Sequence, residues 1–133
     1  MVPQPHQEPG VAHILIAEDD ALVRAGVAEE LRAAGFSVIE ANCADDALTY
    51  VREGGKIDLV FSDIQMPGTL DGRQLAEVIA RDHPGIPVIL TSGETLPDVS
   101  ALATLFVAKT YSVAHAITLF CLLLGLQPPE SHS

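Results

Sequence analysis

The feature that most constrains the fold of this 133-residue chain is a set of five short, mostly apolar runs that do not alternate with polar residues. Such runs fit strands that are buried on both faces, as the strands of a parallel sheet are. They cover His13–Ala17, Phe36–Glu40, Leu59–Ser62, Ile86–Thr91 and Leu105–Ala108. Helical periodicity separates most of these runs. The alternation predicts an α/β domain, a doubly wound five-stranded parallel sheet with helices on both faces.

Caps and breakers set the expected limits of the helices. Residues that favour N-caps precede the second, third and last helices, namely Asn42, Asp71 (with Gln74 completing a capping box) and Ser112. Gly35 is placed to end the first helix. Residues 94–104 contain a proline and only a short helical pattern. We therefore expect the fourth helix, between the last two strands, to be short or mobile.

Length and charge narrow the class of protein. The chain suffices for one domain, expected over residues 12–127, with a disordered arm (1–11) and a disordered tail (128–133). A formal net charge of -11 argues against nucleic acid as a partner, because phosphate contacts need basic patches. No leader sequence is visible, and the apolar run at 114–126 is shorter than the roughly 20 residues that span a bilayer. We expect a cytoplasmic protein that does not contact a membrane.

Polar side chains collect where the strands end. In open parallel sheets, ligands bind beyond the carboxyl ends of the strands. The residues at those ends are Glu18 and Asp19, Asp63, Ser92, and Lys109. Neighbouring carboxylates repel one another unless a cation lies between them, and their hard oxygens suit Mg²⁺. Because a carboxylate can also attack phosphorus, we interpret Asp63 as a nucleophile, with Lys109 and the metal balancing charge on the phosphoryl group.

Four segments, ILIAEDD, LVFSDIQMPGTLDG, PVILTSG and FVAK, together resemble the receiver domains of two-component response regulators. The resemblance covers about residues 12–126 and implies a flavodoxin-like strand order 2-1-3-4-5. It also implies roles for single residues: Asp63 as phosphoacceptor; Glu18, Asp19, Asp63 and the backbone carbonyl of Gln65 as Mg²⁺ ligands; Lys109 as the phosphate-contacting lysine; and Ser92 and Phe106 as switch residues. Asp20, next to the acidic pair, is expected to cap the first helix instead of binding the metal.

The chain departs from the family pattern at three places. Lys109 precedes Thr110 where a proline is usual, so their peptide bond is either cis and strained or trans. The loop after Asp63 has one residue more than the commonest form, and the segment 93–108 is short for a full fourth helix. Counting five residues from Pro87 selects Ser92 as the switch hydroxyl, not the neighbouring threonine.

The resemblance predicts a signalling phosphoacceptor and not an enzyme. Asp63 would take a phosphoryl group from a histidine kinase or a phosphotransfer protein, and a conformational change would carry the signal to a partner. Two alternatives stay open, an aspartyl-nucleophile phosphohydrolase and a receiver-like binding module that is not phosphorylated. A hydrolase usually has a second acid two residues after its nucleophile, where this chain has Gln65.

The last predicted helix is unusual in its apolar character. Residues Ala114 to Leu126 are apolar nearly all round, whereas a surface helix normally has one apolar stripe. Leu119, Phe120 and the leucines at 122–124 cannot all face one sheet. Our hypothesis is a homodimer or a partner contact through this helix, and the alternative is an apolar surface without a partner.

Overall fold

A computed structural model describes residues 11–93, 105–109 and 111–127. The described elements are β1 (His13–Ala17), α1 (Ala21–Ala33), β2 (Ser37–Ala41), α2 (Ala44–Arg52), β3 (Leu59–Asp63), α3 (Gly72–Asp82), β4 (Val88–Ser92), β5 (Leu105–Ala108) and α4 (Val113–Leu124). All strand pairings are parallel, and the order is β2-β1-β3-β4-β5. The predicted fold class and strand order are confirmed. Among the helices in the described ranges, none is long and apolar enough to cross a membrane.

Two cores lie on opposite faces of the sheet. The core under α2 and α3 is aliphatic and includes Leu15, Val60 and Leu90 from the three central strands. The core under α1 and α4 contains aromatic rings, with Phe61 in edge-to-face contact with Phe120 at 5.1 Å between ring centroids. Because adjacent strand residues point to opposite faces, the non-alternating runs seen in the sequence fill both cores.

Backbone hydrogen bonds shift two predicted strands by one or two residues. Phe36 was expected to begin the second strand, but its amide donates to Leu31 O at 3.1 Å and closes the end of α1. Ile86 was expected to begin the fourth strand, but its amide donates to His83 O at 3.0 Å. Pro87, which follows, has no amide hydrogen to offer the sheet. The strands therefore begin at residues 37 and 88.

The predicted caps are confirmed at Asp71 and Ser112, and the prediction for Asn42 is wrong. The cap of α2 is Cys43, whose Sγ accepts from the amide of Asp46 at 3.5 Å. Packing explains the difference. Ala44 is buried at the first position of α2, so the helix begins one residue later than it would with Asn42 as its cap.

Some predictions fall outside the described residues. They concern the short or mobile helix at 94–104, the tail at 128–133, the arm apart from residue 11, and the geometry of the bond between Lys109 and residue 110.

Candidate functional site

Three acidic side chains converge where β1 and β3 end side by side. The strands pair with Ala17 opposite Ser62, so the residues that follow this pair enter the same space. One carboxylate oxygen from each of Glu18, Asp19 and Asp63 lies within 4.8 Å of the other two. Glu18 and Asp63 are buried, whereas Asp19 is exposed. We call these three residues the acidic pocket, which opens to solvent on the side of Asp19.

The turn after β1 orients Glu18 through its own backbone. The amide of Glu18 donates to Ala41 O at 3.1 Å and extends the pairing of β1 with β2. The amide of Asp20 donates to Glu18 Oε2 at 3.0 Å. Asp20 Oδ1 accepts from the amides of Leu22 at 3.0 Å and Val23 at 3.2 Å. The prediction that Asp20 caps α1 is thus confirmed.

The backbone that follows β3 returns to contact it at the start of α3. Ile64 N donates to Thr91 O at 2.9 Å, and Gly72 N donates to Ile64 O at 2.8 Å. A Cβ at position 72 would lie 2.1 Å from Asp63 O, which leaves room for glycine alone. Asp63 Oδ1 accepts from the amide of Gln65 at 3.3 Å. This closure holds the Asp63 carboxylate at the edge of the sheet.

Lys109 brings a positive charge from the end of β5 into the acidic pocket. Its amide donates to Ser92 O at 2.9 Å. Its Nζ pairs with Asp63 Oδ2 and, at 3.1 Å, with Glu18 Oε1. Burial disfavours the charged lysine, but the hydrogen bonds to Asp63 and Glu18 outweigh it, so the pKa of Lys109 is raised. Burial also raises the pKa of Glu18, against the hydrogen bonds that it accepts from Asp20 and Lys109.

The two predicted switch residues have different surroundings. Ser92 is buried at the end of β4, and its Oγ donates to Gln65 Oε1 at 3.1 Å. Thr91, the neighbouring hydroxyl, is also buried and points to the opposite face of the sheet. Phe106 is 36% exposed on the edge strand β5. The structure therefore brings Lys109 into the acidic pocket. Ser92 is linked to the pocket by Gln65, which contacts both Ser92 and Asp63, while Phe106 lies at the surface.

Comparison with known proteins settles the family. The sequence model of the response regulator receiver domain matches residues 14–114. The chain belongs to this family. The receiver domain is 39% identical over 85 residues to the sensor kinase CckA of Brucella abortus, covering 63% of this chain and 9% of the kinase. It is 35% identical over 111 residues to the transcriptional regulatory protein PdtaR of Mycobacterium tuberculosis, covering 78% of this chain and 52% of PdtaR.

A solved structure agrees with this assignment. The response regulator protein TrrA of Thermotoga maritima, in complex with Mg²⁺-BeF, matches with a TM-score of 0.79 at 26% identity. The match covers 86% of this chain and 100% of that chain. The chain spans about a tenth of the length of the CckA kinase and about half of PdtaR.

Two residues near the acidic pocket were missed by the sequence motifs. Arg24 Nη1 donates to the backbone oxygen of Glu18 at 2.7 Å. Tyr111 packs edge-on against Phe61 at 5.4 Å between ring centroids, and burial raises the pKa of its hydroxyl. Arg24 follows the acids by little more than one helical turn, and this spacing could have indicated that it lies near them. The Tyr111 contact joins residues 50 positions apart, and no local spacing indicates it.

The loop after Asp63 has an anchor on α2 that the sequence also did not indicate. Asp45 Oδ2 accepts from the amide of Thr69 at 3.2 Å, and Asp45 Oδ1 accepts from the Thr69 hydroxyl. The hydrogen bond from that hydroxyl is the main reason why the pKa of Asp45 is lowered. Gly68, just before Thr69, has a φ of 119°, which side chains rarely adopt. The longer loop is therefore tied to a neighbouring helix.

Proposed function

We propose that this receiver domain accepts a phosphoryl group on Asp63 from a histidine kinase or a phosphotransfer protein. The observation that supports this function best is the buried Asp63 carboxylate, which lies between two further acids and the Lys109 ammonium. An acid that only caps a helix would not need two further carboxylates and an ammonium beside it.

The donor set of the acidic pocket fits Mg²⁺. Hard carboxylate oxygens from Glu18, Asp19 and Asp63 lie within 4.8 Å of one another, and the exposed side of Asp19 leaves room for water. We propose that these three side chains and the backbone carbonyl of Gln65 hold the ion. When bound, Mg²⁺ would neutralise charge on the phosphoryl oxygens.

Each residue in and beside the pocket has a different role in the transfer. One carboxylate oxygen of Asp63 forms a bond to phosphorus while the P–N bond of a phosphohistidine breaks, and the electron pair remains on the imidazole nitrogen. Lys109 Nζ stays within reach of the phosphoryl oxygens as a fixed positive charge. Ser92 would exchange its hydrogen bond to Gln65 for one to the phosphoryl group, and Phe106 would turn inward from the surface.

Mass spectrometry after incubation with acetyl phosphate and Mg²⁺ tests this function. We expect the protein to gain one phosphoryl group, and Asp63→Asn to gain none. Asp20→Asn is a matched control, because Asn caps helices as well as Asp does and the phosphoacceptor is intact. Continuous release of phosphate without accumulation would favour a phosphohydrolase. No gain of mass in the unsubstituted protein would favour a binding module.

We further propose that α4 contacts a second copy or a signalling partner. Leu122 is 66% exposed and Leu123 is 37% exposed on this helix. Burying each leucine would contribute about 1.5–3 kcal/mol. Sedimentation velocity at micromolar concentration tests for a dimer, with Leu122→Gln expected to weaken it. A protein that stays monomeric and binds no histidine-kinase domain would contradict the proposal.

A further inference from the structure

Arg24 connects the edge of the sheet to the backbone of the acidic pocket. Its Nη1 donates to Glu18 O at 2.7 Å, and its Nε lies 3.5 Å from Glu40 Oε1 on β2. The side chain of Arg24 is only 19% exposed. Within the described residues, one guanidinium thus bridges a carboxylate on the edge strand and the carbonyl of the first acid of the pocket.

The bridged carbonyl belongs to the peptide group that joins Glu18 to Asp19. A peptide group is planar, so a donor that holds its oxygen also fixes the orientation of the next amide and the direction in which the next side chain leaves the backbone. The amide of Glu18 is already held by Ala41 O. With both sides of Glu18 held, the two acids keep one position relative to Asp63.

We propose that Arg24 is a positioning residue, which sets the geometry of Glu18 and Asp19 for a divalent cation without contacting the cation itself. This inference rests on the proposed function of the pocket. Partners that orient metal ligands commonly contribute about 10–100-fold to metal affinity. A guanidinium suits this task better than an ammonium, because its planar fork can hold two acceptors at once.

Electrostatics alone predicts the opposite effect on the affinity for cations. A positive charge beside the pocket repels Mg²⁺, so removing the charge of Arg24 would tighten binding if the side chain acted through its charge. If Arg24 acts through position, its removal weakens binding. The sign of the change in the dissociation constant therefore separates the two roles.

Arg32 is a matched control for Arg24. It lies two turns further along α1, its Nη1 pairs with Glu40 Oε2 at 3.2 Å, and its Nη2 donates to Val38 O at 3.0 Å. It shares the helix, the charge and the carboxylate partner of Arg24, but the carbonyl that it holds lies on β2 and not in the acidic pocket.

Isothermal titration of the purified protein with MgCl₂ tests the proposal. We expect Arg24→Met to raise the dissociation constant of Mg²⁺ by about tenfold, Arg24→Lys to raise it by about threefold, and Arg32→Met to change it by less than about twofold. Thermal melts run in parallel measure stability. An Arg24→Met protein that melts earlier but binds Mg²⁺ as well as the unsubstituted protein, or better, would overturn the proposal. If the methionine variant does not fold, unchanged or tighter binding by Arg24→Lys would overturn it in the same way.

Side-chain carboxyl ¹³C resonances in ion-free protein keep the two hypotheses apart. If the unsubstituted protein binds no Mg²⁺, the proposed metal function fails. The positioning role is then decided by whether Arg24→Lys moves the resonances of Glu18 and Asp19 while Arg32→Lys leaves them in place. Unchanged resonances in both variants would overturn it.

Discussion

The acids of the pocket lie in, or directly before, two segments that are held in opposite ways. The first, residues 18–20, is a three-residue turn whose helix is capped by Asp20 and whose carbonyl is held from outside by Arg24. The second, residues 64–71, is an eight-residue loop that closes by direct backbone contact at Gly72 and is tied to α2 by Asp45. The short turn is held by side chains, whereas the long loop can close only because Gly72 has no side chain, in addition to its tie to Asp45. Substitutions should therefore affect the two segments unequally.

The largest expected effect comes from Gly72→Ala, where the second segment ends at the start of α3. The new Cβ would lie 2.1 Å from Asp63 O and 2.8 Å from Ile64 Cα, and backbone atoms cannot rotate away as a side chain can. We expect a loss of about 3 kcal/mol or more in the free energy of unfolding, at the upper end for overpacking. Urea denaturation followed by circular dichroism measures it.

Gly26→Ala is the matched control in the first segment's helix. No atom lies within 4 Å of a Cβ at this exposed position in α1, so alanine should stabilise the helix by about 0.5–1 kcal/mol. The same substitution is thus expected to have opposite signs in the two regions. Equal effects at both positions would show that the contrast between the segments is wrong.

A smaller effect is expected for Gly68→Ala at the tip of the long loop. Its φ of 119° is strained for alanine, and its Cβ would lie 2.6 Å from Asp45 Oδ2. Because the obstacle is the end of a side chain that can move, we expect a loss of about 1–2 kcal/mol in the free energy of unfolding. Gly55→Ala, with an ordinary φ and open space, serves as the control in the same assay. A Gly68→Ala protein as stable as that control would show that the loop tip is not constrained.

The smallest expected effect is the pH dependence contributed by Asp45. Its folded pKa is lowered, chiefly by the hydrogen bond from the Thr69 hydroxyl, so the ionised form favours folding. The contribution should be fully present above the ordinary aspartate pKa of about 3.9 and should vanish as the pH falls through the lower folded pKa. The measurement is the difference in urea midpoint between the unsubstituted protein and Asp45→Ala from pH 7 to pH 2.

Asp46→Ala provides the comparison for that titration. Asp46 also lies in the first turn of α2, so both variants lose the favourable interaction with the helix dipole, while the Thr69 contact involves only Asp45. Identical pH profiles for the two variants would mean that the tie between the loop and α2 does not affect stability.

The features that the sequence predicted are those determined by residues close together in the chain or by the ends of strands. Acids placed directly after apolar runs predicted the acidic pocket, because parallel strands all end at one edge of the sheet. Asp71 and Gln74 predicted the capping box, since both partners lie within one turn. The roles in metal binding, phosphoryl transfer and switching stay predictions for all the residues to which they were assigned, namely Glu18, Asp19, Asp63, Gln65, Ser92, Phe106 and Lys109.

The features that the sequence did not predict depend on contacts between distant segments. Cys43 caps α2 in place of the better capping residue beside it, because packing on the sheet decides where the helix begins. The contact between Thr69 and Asp45 joins residues 24 positions apart. Gly72 looks like an ordinary loop glycine until the backbone of Asp63 lies against it.

Lys109 gives the pocket an ionic balance that matches its proposed ligand. Three carboxylates and one ammonium leave a formal excess of two negative charges, which is the charge of a single divalent cation. A monovalent ion such as Na⁺ would leave the ensemble anionic, and a trivalent ion would overcompensate it. The lysine therefore sets how much charge an incoming ion must supply to neutralise the pocket.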